Sequence, residues 1–369
     1  MAGPLAGLRG VELAGIGPAP FAAMMLSDLG AEILRIEAPF AREPSVTIPR
    51  DKDVTLRGRP AITLDLKSEA DRDYLLDLCE NADFLIEGFR PGVMERLGVG
   101  PEDVAAINPR LVFGRMTGWG QTGPMAQRAG HDIDYIALGG ALYPLGEAEG
   151  PPPPPLNLVG DNGGGGLLLA YGILAACVEA RGSGRGQVVD AAIVDGTASL
   201  MAPFFGMLSA GMWSLDRHAN MIDGAAPWYR AYRTADGGFI AVGAIETKFY
   251  RTLLELMGLD PAELPDQFDR EQWPVLEDAF ATAFAGRTRQ EWADILTPHD
   301  TCVAPVLRLD EMADDPHLAA RGTVVRRNGM AQPAPSPRFS RTCADLPGEA
   351  EAPEALLARW GVAARGGGN

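Results

Sequence analysis

The sequence predicts an α/β protein, with a large doubly wound parallel-sheet domain joined to a small α+β domain. Three observations carry that expectation. Short apolar strands alternate with amphipathic helices from residue 8 to about 117. Near residue 228 the pattern changes to period-two alternation around a D-G-G turn, in YRAYRTADGGFIAVGAI, which marks an antiparallel hairpin. At 369 residues, with 46% hydrophobic content, the chain exceeds one average domain and can bury a sizeable core.

Taken in order, LRGVELA (8–14) reads as a first strand, and FAAMMLSDLG as a helix that stops at Gly30, a C-cap residue. EILRIEA (32–38) and AITLDL (61–66) are the next strands, with Ser68 placed to cap the helix SEADRDYLLDLCENA. DFLIEGF (83–89) is a fourth strand, and Arg90-Pro91-Gly92 leads into the helix VMERLG. PEDVAAINPR is a short helix and LVFGRMT (111–117) a fifth strand. Ligands bind beyond the carboxyl ends of strands in such sheets, so IGPAP, RPGV and GWGQTGP should line a pocket.

The pentaproline at 151–155 reads as a stiff extended spacer. A helix is expected over about 163–181, a strand over 187–196, and helices near 247–258, 269–286 and 288–297. These divisions give a large domain over 1–193 and 338–369, linkers at 194–229 and 316–337, and a small domain at 230–315.

Composition narrows the function. A net charge of −17 lacks the basic face that phosphate backbones require, so nucleic acid is not an expected partner. The four cysteines are far apart and form no CxxC pair, which supports neither a zinc site nor a disulfide framework. The Walker loop, GxSxG and HExxH are all missing from the sequence. The N-terminus lacks the pattern of a secretory signal, and the apolar helix near 167–178 looks too short for a bilayer. A soluble cytoplasmic protein without a membrane partner is expected.

The chemistry concentrates in GHDIDYIALGGALYPLGEAEGPPPPPLNLVGDNGGGG (130–166). His131 supplies a base that is neutral and abundant at pH 7. Asp161 precedes four glycines and an apolar helix, a pattern that reads as a helix start with bare N–H groups open to an anion. A base, a carboxylate and an anion-stabilising helix start are the parts needed to move a proton beside a carbonyl.

The ordered set of segments VELAGIGPAPFAAMMLSDLGAEILRIEAP, LDLKSE, LIEGFRPGVMERLG, MTGWGQTGP, GHDIDYIAL, NLVGDNGGG, GQVVDAAIVDG, VGAIE and CVAPVL resembles the class III CoA-transferase (CaiB/BaiF) superfamily. It runs nearly the whole length of the chain. Within the superfamily, the histidine of GHDI-Y and the glutamate of VGAIE resemble the α-methylacyl-CoA racemase branch.

The resemblance implies an interlocked homodimer and an isomerase that interconverts (R)- and (S)-2-methylacyl-CoA in fatty acid metabolism. No metal or redox cofactor is implied, coenzyme A being carried on the acyl-CoA substrate. It implies His131 and Asp161 as the bases, Glu246 as the partner that orients His131, and the Asp161 N–H as holder of the thioester oxygen. For CoA it implies Arg35, Leu64, Asp65, Leu66, Lys67, Gly88, Phe89, Arg90, Arg96, Gly130, Asp132, Ile133, Asp134 and Tyr135. For the acyl pocket it implies Met116, Asn157, Met221 and Ile222. Ala38 stands where such racemases often carry an arginine, which leaves a phosphate contact to Arg35 or Arg42. Asp134 stands where asparagine is common. Two rivals remain: a CoA-transferase with Asp161 as nucleophile, and a non-catalytic acyl-CoA-binding protein on the same fold.

Overall fold

A computed structural model describes residues 3–39 and 48–364. Its six-stranded sheet is formed by β1 (Arg9–Leu13), β2 (Glu32–Glu37), β3 (Ala61–Thr63), β4 (Phe84–Glu87), β5 (Val112–Thr117) and β6 (Val188–Ala192). All neighbours pair in parallel, in the order β3-β2-β1-β4-β5-β6. This is a doubly wound arrangement, whose strand order reverses between β1 and β4. In such sheets ligands bind at that point, beyond the carboxyl ends of the strands.

The connecting helices are α1 (Pro18–Asp28), α2 (Glu69–Glu80), α3 (Val93–Leu97), α4 (Pro101–Ile107) and α5 (Asp132–Leu138), then α6 (Leu168–Ser183) and α7 (Ile193–Leu200). One face of the sheet packs against α1 and α6, where Leu26, Phe84, Leu169 and Ile173 are buried. Each such fully buried large apolar side chain contributes about 1.5–3 kcal/mol. The other face is covered by residues of α2 and by Leu356, Leu357 and Trp360 near the C-terminus.

Two sequence expectations change here. Residues 193–196 are helical, because the expected strand 187–196 ends at Ala192 and α7 begins at once. Ser68 does stand at the N-cap of α2, but its side chain makes no capping bond.

The apolar helix is also longer than the sequence pattern suggests. Leu158–Leu167 forms π-helical turns that run on into α6, so Leu158–Ser183 is one 26-residue helix. By length and composition that is enough to cross a membrane, which overturns the expectation of a helix too short to do so. Half of it is buried, and its inner side packs on β5, as in the central helix of a protein core.

The chain divides into two compact units. The first comprises the described residues up to Ala141, Pro155–Met201 and those from Pro316 onward, and the second comprises Leu142–Pro154 and Ala202–Asp315. The second unit contains α8 (Ala202–Ser209) and β7 (Tyr229–Arg233), β8 (Phe239–Gly243) and β9 (Val303–Pro305), paired antiparallel. With them stand α9 (Thr247–Met257), α10 (Trp273–Phe284) and α11 (Arg289–Leu296). Its core is aromatic: Trp228 meets Trp273 edge-on, and Tyr232 stacks on Phe284, both at 5.2 Å between ring centroids. The first unit closes with α12 (Pro316–Arg321), the hairpin of β10 (Val324–Arg327) and β11 (Met330–Pro333), and α13 (Pro353–Trp360).

Candidate active site

The C-terminal edge of the large sheet gathers most of the expected residues. Leu64, Asp65, Leu66 and Lys67 follow β3, and Gly88, Phe89 and Arg90 follow β4. Gly130 and His131 end the loop after β5. Lys67, Arg90 and Arg96 expose their charged side chains.

Asp65 makes a local turn by accepting the Lys67 N–H at 3.0 Å, while its own N–H goes to Asp71 at 2.6 Å. The Glu87 carboxylate, buried beneath this edge, accepts the Phe89 N–H at 2.6 Å and Arg115 Nε at 2.9 Å. Burial pushes the Glu87 pKa up against those partners.

Arg35 is a correction. Its guanidinium is buried and committed to Glu12 and Glu37, and Arg59 Nε takes the other Glu12 oxygen at 2.8 Å. A buried ion pair cannot release its cation to a ligand without stranding the carboxylate, so Arg35 is not a CoA phosphate contact. Arg42 lies outside the described residues.

His131 is the exposed N-cap residue of α5. Its backbone N–H donates to Asp134 Oδ2 at 2.9 Å, half of a capping box, so Asp134 serves the helix start. Tyr135, one turn on, is buried and donates its hydroxyl to the Gly130 carbonyl. Its ring packs edge-on against Trp119 with 4.7 Å between centroids. Those contacts fix the backbone on both sides of the histidine.

Asp161 lies within the π-helical turns, not at a bare helix start. The helix begins at Leu158 with Asn157 as its N-cap, and the Asn157 amide stands 3.4 Å from Asp161 Oδ2. The four glycines face protein, not solvent. A Cβ on Gly196 would sit 1.8 Å from the Gly164 carbonyl oxygen, so α7 and the π-turns touch backbone to backbone. Glycine here brings helices together and does not open the site to a ligand.

The Asp161 N–H is also taken, donating to Asp132 Oδ1 at 2.6 Å. It therefore does not hold the thioester oxygen, and the Asp132 side chain, being buried, is not a CoA contact. Among the described residues, the N–H groups of Asp132 and Ile133, in the first turn of α5, have no protein acceptor.

Half-burial raises the Asp161 pKa. The Asn157 amide opposes that shift, Asp132 adds to it, and His131 opposes it. The side chain of Asp161 also adjoins Gly17 at the start of α1: a Cβ there would lie 3.3 Å from Oδ2. Asp161 thus stands beside Gly17, which follows β1, and its backbone is tied to Asp132, the residue next to His131. Sequence reasoning missed the Asp132–Asp161 bond, because nothing in spacing alone pairs residues 29 apart.

Met116 is buried in the core at the end of β5 and is not an open pocket wall. Met221, Ile222 and Glu246 belong to the second unit. Met221 packs beside its aromatic core, and Ile222 is half-buried in the following turn. Glu246 is the exposed N-cap residue of α9, but its side chain makes no capping bond.

The family model described as CoA-transferase family III matches residues 5–355. Human alpha-methylacyl-CoA racemase is 42% identical over 339 residues, which cover 92% of this chain and 87% of that protein. Acetyl-CoA:oxalate CoA-transferase of Acetobacter aceti is 29% identical over 343 residues, covering 90% and 88%. A crystal structure of a CaiB/BaiF family protein from Brucella suis superposes with a TM-score of 0.81 at 25% identity, covering 98% of this chain and all of that one. The fold is that of class III CoA-transferases.

Proposed function

Because the chain belongs to CoA-transferase family III, we propose that it inverts C2 of 2-methylacyl-CoA thioesters by 1,1-proton transfer, as a racemase. The observation that carries this reading is that the Asp161 N–H bonds to Asp132, the residue next to His131, which brings an imidazole and a carboxylate of raised pKa close together. The likeness to the human racemase supports it.

One base removes the C2 proton as the electron pair moves into the thioester carbonyl, giving an enolate. The opposite base then returns a proton to the other face. The oxyanion needs N–H donors, and those of Asp132 and Ile133 at the start of α5 supply them. No step calls for a metal or redox cofactor. Glu246 orients His131, a role supported by the resemblance of VGAIE. Lys67, Arg90 and Arg96 meet the CoA phosphates.

A second copy of the chain is the expected partner. Leu167, Tyr171 and Val178 form an apolar stripe on the outer side of the Leu158–Ser183 helix, exposed by 51%, 69% and 69%. The four cysteines are unpaired, which suits the cytoplasm, and the substrate class suits fatty acid metabolism.

The test uses one enantiomer of a 2-methylacyl-CoA in D₂O, followed by NMR and chiral analysis. Epimerisation with deuterium entering only at C2 is expected. Neither epimerisation nor deuterium across several acyl groups sinks the reading. The second reading, supported by the transferase relatives, has Asp161 attack the thioester to form a mixed anhydride. CoA exchange onto a free carboxylate, lost on trapping with hydroxylamine, would favour it.

A further inference from the structure

We propose that the Asp132 carboxylate is a positioning residue: it holds the Asp161 turn in register with the start of α5, and so sets one base relative to the other. The proposal rests on the racemase reading above. Asp132 follows His131 directly and occupies the first helical position of α5. Only 9% of it is exposed. Its Oδ1 accepts the Asp161 N–H at 2.6 Å, and the Gly160 N–H also bonds to this carboxylate.

Two donors from the first turn of one helix therefore converge on a carboxylate anchored in the first turn of another. Anionic charge is favourable at both N-termini. Gly160 makes the approach possible, since a Cβ there would lie 2.3 Å from Oδ1. Among the described residues, the other oxygen, Oδ2, is buried without a hydrogen-bond partner. A residue whose one task was to cap α5 would not need this bond, because Asp134 already takes the His131 N–H.

The functional consequence follows from the geometry of inversion. Two bases must address opposite faces of one carbon, and a displacement of about 1 Å costs up to about 100-fold. Removing the Asp132 carboxylate leaves the α5 start capped by Asp134 and frees the Asp161 turn. The loss should therefore be one-sided.

The experiment follows C2 proton exchange in D₂O, separately from each enantiomer, for the wild type, Asp132→Ala and Asp132→Asn. In Asp132→Ala, exchange from the enantiomer deprotonated by Asp161 should fall by about 10- to 100-fold. Exchange from the enantiomer deprotonated by His131 should change by only a few fold. Asn keeps an acceptor oxygen and should recover most of the lost rate. Equal loss from both enantiomers, or no loss from either, overturns the proposal.

Wild-type protein that exchanges neither enantiomer refutes the racemase reading instead. Amide hydrogen exchange then decides the positioning claim independently of activity. Faster exchange at Gly160 and Asp161 in Asp132→Ala, with α5 protection unchanged, supports it, and unchanged protection at those two amides overturns it.

Discussion

His131 and Asp161 both stand near the N-terminus of a helix, yet their surroundings differ in nearly every respect. His131 is exposed, on a short helix with an ordinary acidic cap. Asp161 is half-buried, on π-helical turns whose glycines are pressed against α1 and α7. The contrast matches the chemistry of the two side chains. An imidazole needs no help to be a base near pH 7. A carboxylate in water is too weak a base, and burial makes it stronger by disfavouring its charged form. His131 sits at a simple helix cap, whereas Asp161 has a packed environment around it.

Removing each side chain should have the largest effect. His131→Ala and Asp161→Ala should each lower racemisation by about 10³-fold or more, the scale of general acid–base catalysis. His131→Ala should leave the thermal midpoint almost unchanged, because its side chain is exposed. A variant that keeps a tenth of wild-type turnover would remove that residue from the mechanism.

The packed environment is tested next. Gly196→Ala forces a methyl group into the Gly164 carbonyl and should destabilise the protein by about 3 kcal/mol, read by chemical denaturation. Gly182, on the exposed C-terminal turn of α6, has open space around it, and Gly182→Ala should stabilise by about 0.5–1 kcal/mol. Equal effects at the two positions would show that the helices do not touch as described.

A smaller effect is expected from Glu246→Gln. Loss of an orienting partner should lower kcat by about 10-fold with little change in KM, the pattern of an interaction made mainly in the transition state. A change confined to KM would assign Glu246 to substrate binding.

The smallest effect is on the pH dependence of stability. The folded-state pKa of Asp161 is raised, so between the ordinary aspartate range and that raised value the native state binds the extra proton. Stability from this group is therefore greatest at low pH and declines as pH rises through that window. Asp161→Asn should reduce the decline in urea unfolding, while Asp132, shifted in the same direction, keeps part of it. An unchanged slope in the variant would show that Asp161 is not desolvated.

Much of this was legible in the sequence, and the reasons are local. Strand and helix periodicity and the D-G-G hairpin turn depend on residues near one another in the chain, so they identified the parallel sheet and the antiparallel hairpin. Only the tertiary structure decided which partner each polar group takes. Arg35 looked like a phosphate contact until Glu12 and Glu37 claimed it. The glycines after Asp161 looked like an open anion site until α7 filled the space, and the Asp161 N–H looked free until Asp132 reached it. Buried charges and N–H groups must find partners, and the partner nearest in space is set by packing between segments far apart in sequence.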